Sequence, residues 1–179
     1  MPGIGRPLLM IIRTLRREDT ERLLQFELSN RAWFEQHVLP RAQATYSLDG
    51  IARHIDEYLA DYARGVLHPC LIVDQHGAIA GRANLKQIDG IAGSAEIGYR
   101  IGQSYIGQGC ASRAVAALTV LAYGEWGLQS VDAYVAVQNR ASARVLEKCG
   151  FTRSGRAAHP ALIQNLLLDC SHFSHHKPG

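Results

Sequence analysis

The spacing of apolar positions changes period several times along the chain. Leu8 to Thr14 is a continuous apolar run with β-branched residues, which predicts a strand buried on both faces. Arg17-Glu18-Asp19 then places acid at a helix start, and Leu23, Leu24, Phe26, Glu27 and Leu28 follow as a helical stripe. Asn30 to Phe34 opens a second short helix, which Pro40 ends. Ser47 reads as the N-cap of a third, with Leu48, Ile51, Ile55, Tyr58, Leu59 and Tyr62 on one face up to Gly65.

From Leu67 the period becomes that of a sheet. His68 to Val73, Ala78 to Ile88 and Ser94 to Ile101 predict three successive strands, turned at Asp74-Gln75-His76-Gly77 and at Asp89-Gly90-Ile91-Ala92-Gly93. A helix then runs from Gly109 through Trp126 to near Gly127, and Val131 to Val137 is again a strand. Strand, helix, strand is the order that favours parallel neighbours. Asn139 caps a helix over Ala141 to Lys148 that stops at Cys149-Gly150. Phe151 to Arg156 and Leu162 to Phe173 close the chain as two strands around a loop at residues 157–160. The expected class is α/β, with about seven strands in one mixed sheet and four to five helices, in a single domain over residues 1–179 whose core spans about 8–173.

Composition narrows the functional classes. At 179 residues and 47% hydrophobic the chain can bury a full core. Its net charge of +3 is mild, and the densest basic run, Arg13, Arg16 and Arg17, meets Glu18 and Asp19 at once, so a nucleic-acid partner is not expected. Cys70, Cys110, Cys149 and Cys170 are unevenly spaced, with no CxxC pair and no histidine at metal-ligand spacing, which reads as reduced thiols and no metal site. The apolar run at Leu8 is too short for a membrane span or a signal core, so the expected location is the cytoplasm. His172, His175 and His176 read as a frayed tail.

One stretch carries chemistry on its own terms. Glu96 to Val115 is a strand, a glycine-rich turn and the first turns of a helix, and the first amides of a helix lack internal acceptors at the positive end of its dipole. Gly107 and Gly109 let the backbone approach an anion, which reads as a diphosphate site, the plainer alternative being a tight turn into a core helix. No Gly-Lys-Ser/Thr follows, which rules out a Walker loop, and the third glycine of a Rossmann fingerprint is missing.

Ile106-Gly107-Gln108-Gly109-Cys110-Ala111 resembles the phosphate-binding motif of the GCN5-related N-acetyltransferases (the GNAT superfamily), Arg/Gln-x-x-Gly-x-Gly/Ala, with Ile106 in place of the first Arg or Gln. Ala95-Glu96-Ile97-Gly98-Tyr99, Asn139-Arg140-Ala141-Ser142 and Cys149-Gly150-Phe151 are similar to the family's flanking motifs, and over residues 8–173 the chain is most similar to the RimJ/RimL-like ribosomal-protein-alanine branch. The resemblance implies acetyl-CoA as donor, its diphosphate on the amides of Ile106, Gly107, Gln108, Gly109, Cys110, Ala111 and Ser112. It implies a splay between the Ser94 and Val131 strands that receives pantetheine beside Tyr99, Arg100 and Ile101, with Asn139 and Ser142 as the second cofactor motif. The two-helix region with Asn30, Arg31, Trp33 and Phe34 then lines the acceptor side, although Trp33 and Phe34 also suit packing.

Acetyl transfer to an amine needs a held donor, a neutral amine and a proton for the departing thiolate. Glu96 shares a strand face with Ser94 and Gly98 and is the first candidate base; the plainer alternative pairs it with Arg82 or Arg100. Ser142, one turn past the Asn139 cap, is the candidate proton donor, the alternative being an ordinary first-turn serine. His159 stands in the loop where Rim-type enzymes carry a glutamate and is a further candidate. The expected activity is transfer of acetyl to a primary amine by direct attack in a ternary complex. The expected acceptor is a protein or peptide N-terminal α-amine. A polyamine, amino acid or antibiotic acceptor, or a non-catalytic CoA-binding module, are the alternatives, with monomer and homodimer both open.

Overall fold

The change of period at Leu67 is the change from helices to sheet. The computed structural model describes residues 9–36, 41–156, 161–163 and 166–179. In chain order the elements are β1 (Met10–Thr14), α1 (Thr20–Ser29), α2 (Arg31–Glu35), α3 (Leu48–Ala63), β2 (Leu67–Asp74), β3 (Ile79–Asp89), β4 (Ser94–Ile101) and α4 (Cys110–Gly124). There follow β5 (Ser130–Ala136), α5 (Arg140–Lys148), β6 (Thr152–Arg156), β7 (Ala161–Ile163), β8 (Leu166–Leu168) and β9 (Cys170–His176). Seven strands form one mixed sheet in the order β1-β2-β3-β4-β5-β9-β6, while β7 and β8 make a separate hairpin.

Alternation along the strands sends residues to two cores. Ile72, Leu85, Ile97, Val131 and Phe173 pack with Ala114, Val115, Leu118 and Ala122 of α4 on one face. Leu71, Val73 and Ile79 meet Leu23, Phe26, Phe34, Ile51 and Ile55 of the three early helices on the other. The third helix starts where its cap predicts, Ser47 Oγ accepting from the Gly50 amide at 3.0 Å. Gly50 is a glycine because a Cβ there would lie 2.2 Å from the Ala44 carbonyl oxygen.

Three expectations need correction. Met10–Thr14 is not buried on both faces: it is an edge strand paired to β2, with Ile11 53% exposed, and the strand buried along its whole length is β2. An apolar run does not say whether both of its edges find partners. The run from Leu162 to Phe173 is not one strand but the β7–β8 hairpin and then β9, the polar pair Gln164-Asn165 interrupting the apolar pattern. The histidine-rich end is no frayed tail either, since β9 lies between β5 and β6 and pairs with both. Pro40, expected to end α2, lies outside the described residues, and α2 ends at Glu35.

Two histidines are held uncharged by the fold. His68 is 2% exposed, its Nδ1 accepting from Trp126 Nε1 at 3.0 Å and its Nε2 lying 2.9 Å from Thr14 Oγ1. His54 Nε2 lies 2.7 Å from the Arg82 guanidinium and must be the acceptor there. Burial holds His68 below 6.5, and burial together with Arg82, Arg41 and Arg100 takes His54 down to about 3. The unfolded chain therefore binds protons from about pH 6.5 downward that the native chain refuses, so stability is full above that value and falls below it. We expect the thermal midpoint to drop between pH 7 and pH 5, less steeply in His54→Gln; a midpoint independent of pH over that range would contradict this accounting.

Candidate active site

β4 and β5 are parallel neighbours for three residues, Ser94–Ser130, Ala95–Val131 and Glu96–Asp132, and then part. Beyond Glu96, β4 continues to Ile101 paired to β3, and beyond Asp132, β5 continues to Ala136 paired to β9. The backbone edges that face each other across the opening have no strand partner, which is where a chain with amide groups can bond. At the far end of β4 a single turn leads into the glycine loop. Gly107 and Gly109 have φ of +76° and +77°, and a Cβ on either would meet nothing within 4 Å, so rotation and not crowding demands glycine, and the space before them is open.

The first backbone bond of α4 runs from the Arg113 amide to the Gly109 carbonyl at 3.1 Å, which leaves the amides of Cys110, Ala111 and Ser112 without an acceptor in their own helix. Gln108 braces the loop, its Nε2 donating to the Ser104 carbonyl at 2.7 Å. The Ile106 side chain is 48% exposed and brings no charge. Cys110 is 1% exposed, so the thiol points into the core, where burial pushes its pKa up. Such a loop presents backbone donors to an anion, as a coenzyme A diphosphate requires.

Across the opening stands α5. Asn139 caps it, Oδ1 accepting from the Ser142 amide at 3.1 Å. The Ser142 carbonyl accepts from Tyr99 Oη at 3.4 Å, so the aromatic residue of β4 reaches over to the first turn of α5. Burial raises the Tyr99 pKa and keeps it a donor. The Ser142 side chain also hydrogen-bonds Tyr99.

On the other face of the sheet the last paired rung carries two carboxylates side by side. Glu96 accepts from Lys86 Nζ at 2.6 Å, not from Arg82 or Arg100 as the plainer expectation had it, because Lys86 is its cross-strand partner. The lysine stem passes over Gly98, where a Cβ would come within 2.9 Å of it. Asp132 Oδ1 lies 2.7 Å from His172 Nε2, and His172 Nδ1 lies 2.6 Å from Ser154 Oγ, with the imidazole stacked on Tyr134.

Comparison with known proteins places the chain in a family. The family model described as Acetyltransferase (GNAT) domain fits residues 10–152. The chain belongs to the GNAT acetyltransferases. A probable N-acetyltransferase of Bacillus subtilis, YjcK, is 32% identical over 160 residues, 88% of each chain. Ribosomal-protein-S5-alanine acetyltransferase from Vibrio fischeri superposes with a TM-score of 0.88 at 20% identity, covering 94% of this chain and 96% of that one. RimL, the ribosomal L7/L12 alpha-N-protein acetyltransferase solved in complex with coenzyme A, superposes with a TM-score of 0.84 at 24% identity, covering 93% of both.

Within this GNAT domain the other residues singled out in the sequence fall unevenly. Tyr99, Ile106, Gly107, Gln108, Gly109, Ala111, Ser112, Asn139 and Ser142 surround the opening and its loop. The Arg100 side chain turns to the opposite face, and the Ile101 carbonyl accepts from Trp33 Nε1 at 3.3 Å. Asn30 has both ends of its amide engaged, Nδ2 on the Phe26 carbonyl at 2.9 Å and Oδ1 on the Gln103 amide at 2.8 Å. Arg31 bonds Glu35 and Gln43, and Phe34, 5% exposed, packs in the core under Arg100. His159 lies outside the described residues.

Sequence reasoning missed Asp132, His172 and Ser154. Alternation along Ser130-Val131-Asp132-Ala133-Tyr134 marked Asp132 as facing away from the apolar core, but its histidine is 40 residues on. For the loop we expect Gly109→Glu to abolish coenzyme A binding, through backbone strain and like charge; an unchanged dissociation constant by calorimetry would remove the loop from the site.

Proposed function

We propose that this acetyl-CoA-dependent N-acetyltransferase acts on the N-terminal α-amine of a protein or peptide, by direct attack in a ternary complex. The donor reading rests on the open glycine loop and the strand opening, together with the family. The acceptor reading rests on one observation: beside Glu96, on the face away from α4, the floor made by β5 and β9 is open to solvent, with Tyr134 50% exposed and Asp132 and His172 partly so. A shallow floor admits the end of an extended chain. The superposed ribosomal-protein acetyltransferases agree with such an acceptor.

Acetyl-CoA supplies a thioester whose carbonyl the neutral amine attacks, expelling a thiolate. Ser142 is placed to give that thiolate a hydrogen bond, since it stands in the first turn of α5 and its backbone is fixed from two sides by Asn139 and Tyr99. Glu96 takes the amine proton, directly or through water, and Lys86 fixes the carboxylate to the strand. His172, oriented by Asp132 and Ser154, offers a second route for that proton from the same floor. Orientation of the two reactants supplies much of the rate, so single removals leave measurable turnover.

Thiol release with N-terminal peptides, polyamines and amino acids tests the acceptor. Peptides should give the highest kcat/KM; a faster small amine would overturn the acceptor, and tight coenzyme A binding with no amine-dependent thiol release would overturn catalysis. Ser142→Ala should lower kcat with little change in KM for acetyl-CoA, and an equal loss in both would make Ser142 a positioning residue. Glu96→Gln should lower kcat roughly 10²-fold, as loss of a general base does; an unaltered rate would leave the proton to His172.

A further inference from the structure

On the acceptor face lies a buried ionic cluster that the transfer chemistry does not use. Glu27 of α1 is 1% exposed, and its Oε1 accepts from Arg82 Nη1 at 2.8 Å and from Arg100 Nη2 at 2.8 Å, with Arg41 Nη1 at 3.3 Å. Arg82 is 3% exposed and is further engaged by His54. Arg100 lies over the Phe34 ring and Arg82 over the Tyr58 ring. Three guanidiniums thus share one carboxylate, and His54 adds no negative charge.

The imbalance is not relieved nearby. The charges acting on Glu27 are those of Arg100, Arg82 and Arg41, and the acidic groups acting on Arg100 are Glu27 and the weakly acidic Tyr58. Burial, with Arg82 and Arg41 adding to it, drags Arg100 down to about 9. Arg41 Nη1 is buried, its ion pair with Glu27 at 3.3 Å is not aligned as a hydrogen bond, and among the described residues it has no other acceptor. A buried guanidinium donor left unmade is costly, and two positive charges in excess inside a protein call for an anion. Arg82 is closed off, whereas Arg100 and Arg41 keep 18% and 25% of their side chains exposed.

Their place on the sheet says what the anion belongs to. Arg100 follows Glu96 by four residues on the same face of β4, in the stretch where β5 has parted. That offset is about 13 Å along a strand, longer than one amino acid spans, and it matches the first few residues of an extended peptide.

We propose that Arg41 and Arg100 form a carboxylate subsite on the acceptor face, so that the preferred acceptor is a peptide N-terminus with an acidic side chain within its first few residues. This rests on the peptide α-amine reading above. A carboxylate accepts both forks of a guanidinium, gives Arg41 a well-aligned acceptor and offsets the excess charge that Glu27 leaves.

The test compares two C-amidated tetrapeptides, Ala-Glu-Ala-Ala and Ala-Gln-Ala-Ala, together with free alanine and alaninamide, in the wild-type protein and in Arg41→Gln and Arg41→Lys. The glutamate peptide should win by about 10-fold or more in kcat/KM, mainly through KM, as a charge-assisted pair provides. The ratio should fall to about 1 in Arg41→Gln and stay above 1 in Arg41→Lys, which keeps the charge and reports on folding. Equal wild-type values for the two peptides, or a ratio unchanged in Arg41→Gln, would overturn the subsite. Selection of free alanine over alaninamide with no peptide preference would overturn the peptide form in favour of an α-carboxylate. Should no amine turn over, the activity reading fails by itself, and the subsite is then read from thermal shift of the CoA-saturated protein. A rise with the glutamate peptide in wild type but not in Arg41→Gln upholds it, and equal shifts overturn it.

Discussion

β4 and β5 hold together only from Ser94 to Glu96, and the rest of the molecule is arranged around the place where they let go. A strand that leaves its neighbour exposes backbone donors and acceptors, each costing about 1–3 kcal/mol if buried unpaired. Here β3 secures the outer edge of β4 and β9 secures the outer edge of β5, so the gap is framed by paired strands on both sides. Two helix starts, those of α4 and α5, converge on the same gap because each follows directly from one of the parting strands.

The two faces of the sheet differ in electrostatic character. The α4 face is an apolar core edged by free amides, which attract an anion without any basic side chain. The opposite face is a field of paired ions: Lys86 with Glu96, His172 with Asp132, and the arginines around Glu27. The pairing fixes these groups in one geometry, and around Glu27 it leaves positive charge in excess. One face thus offers unpaired backbone groups and the other offers charged side chains.

That division explains what could be read from the chain beforehand. The meander, α3, α4 and α5 were legible because each rests on local signals: a cap at Ser47 or Asn139, turns at Gly77 and Gly93, an unbroken apolar stripe. The glycine loop was legible for the same reason, being six consecutive residues. The acceptor face was not, since its contacts join distant segments: Glu27 to Arg82 and Arg100, Asp132 to His172. Lys86 was overlooked as the partner of Glu96 because only strand register decides which of several basic residues stands opposite. The edge position of β1 and the inner position of β9 follow from pairing order, which composition does not encode.

The seat of β9 carries a mechanical corollary. Cys170–His176 separates β5 from β6, so the strands following α4 are not a ribbon that grows outward but a slot filled afterwards by the segment furthest along. Removing these seven residues would take away a middle and not an end, unfastening β6 and baring one edge of the strand that borders the donor cleft. The integrity of the catalytic opening is therefore hostage to a histidine-rich stretch more than 60 residues downstream of the glycines that define it.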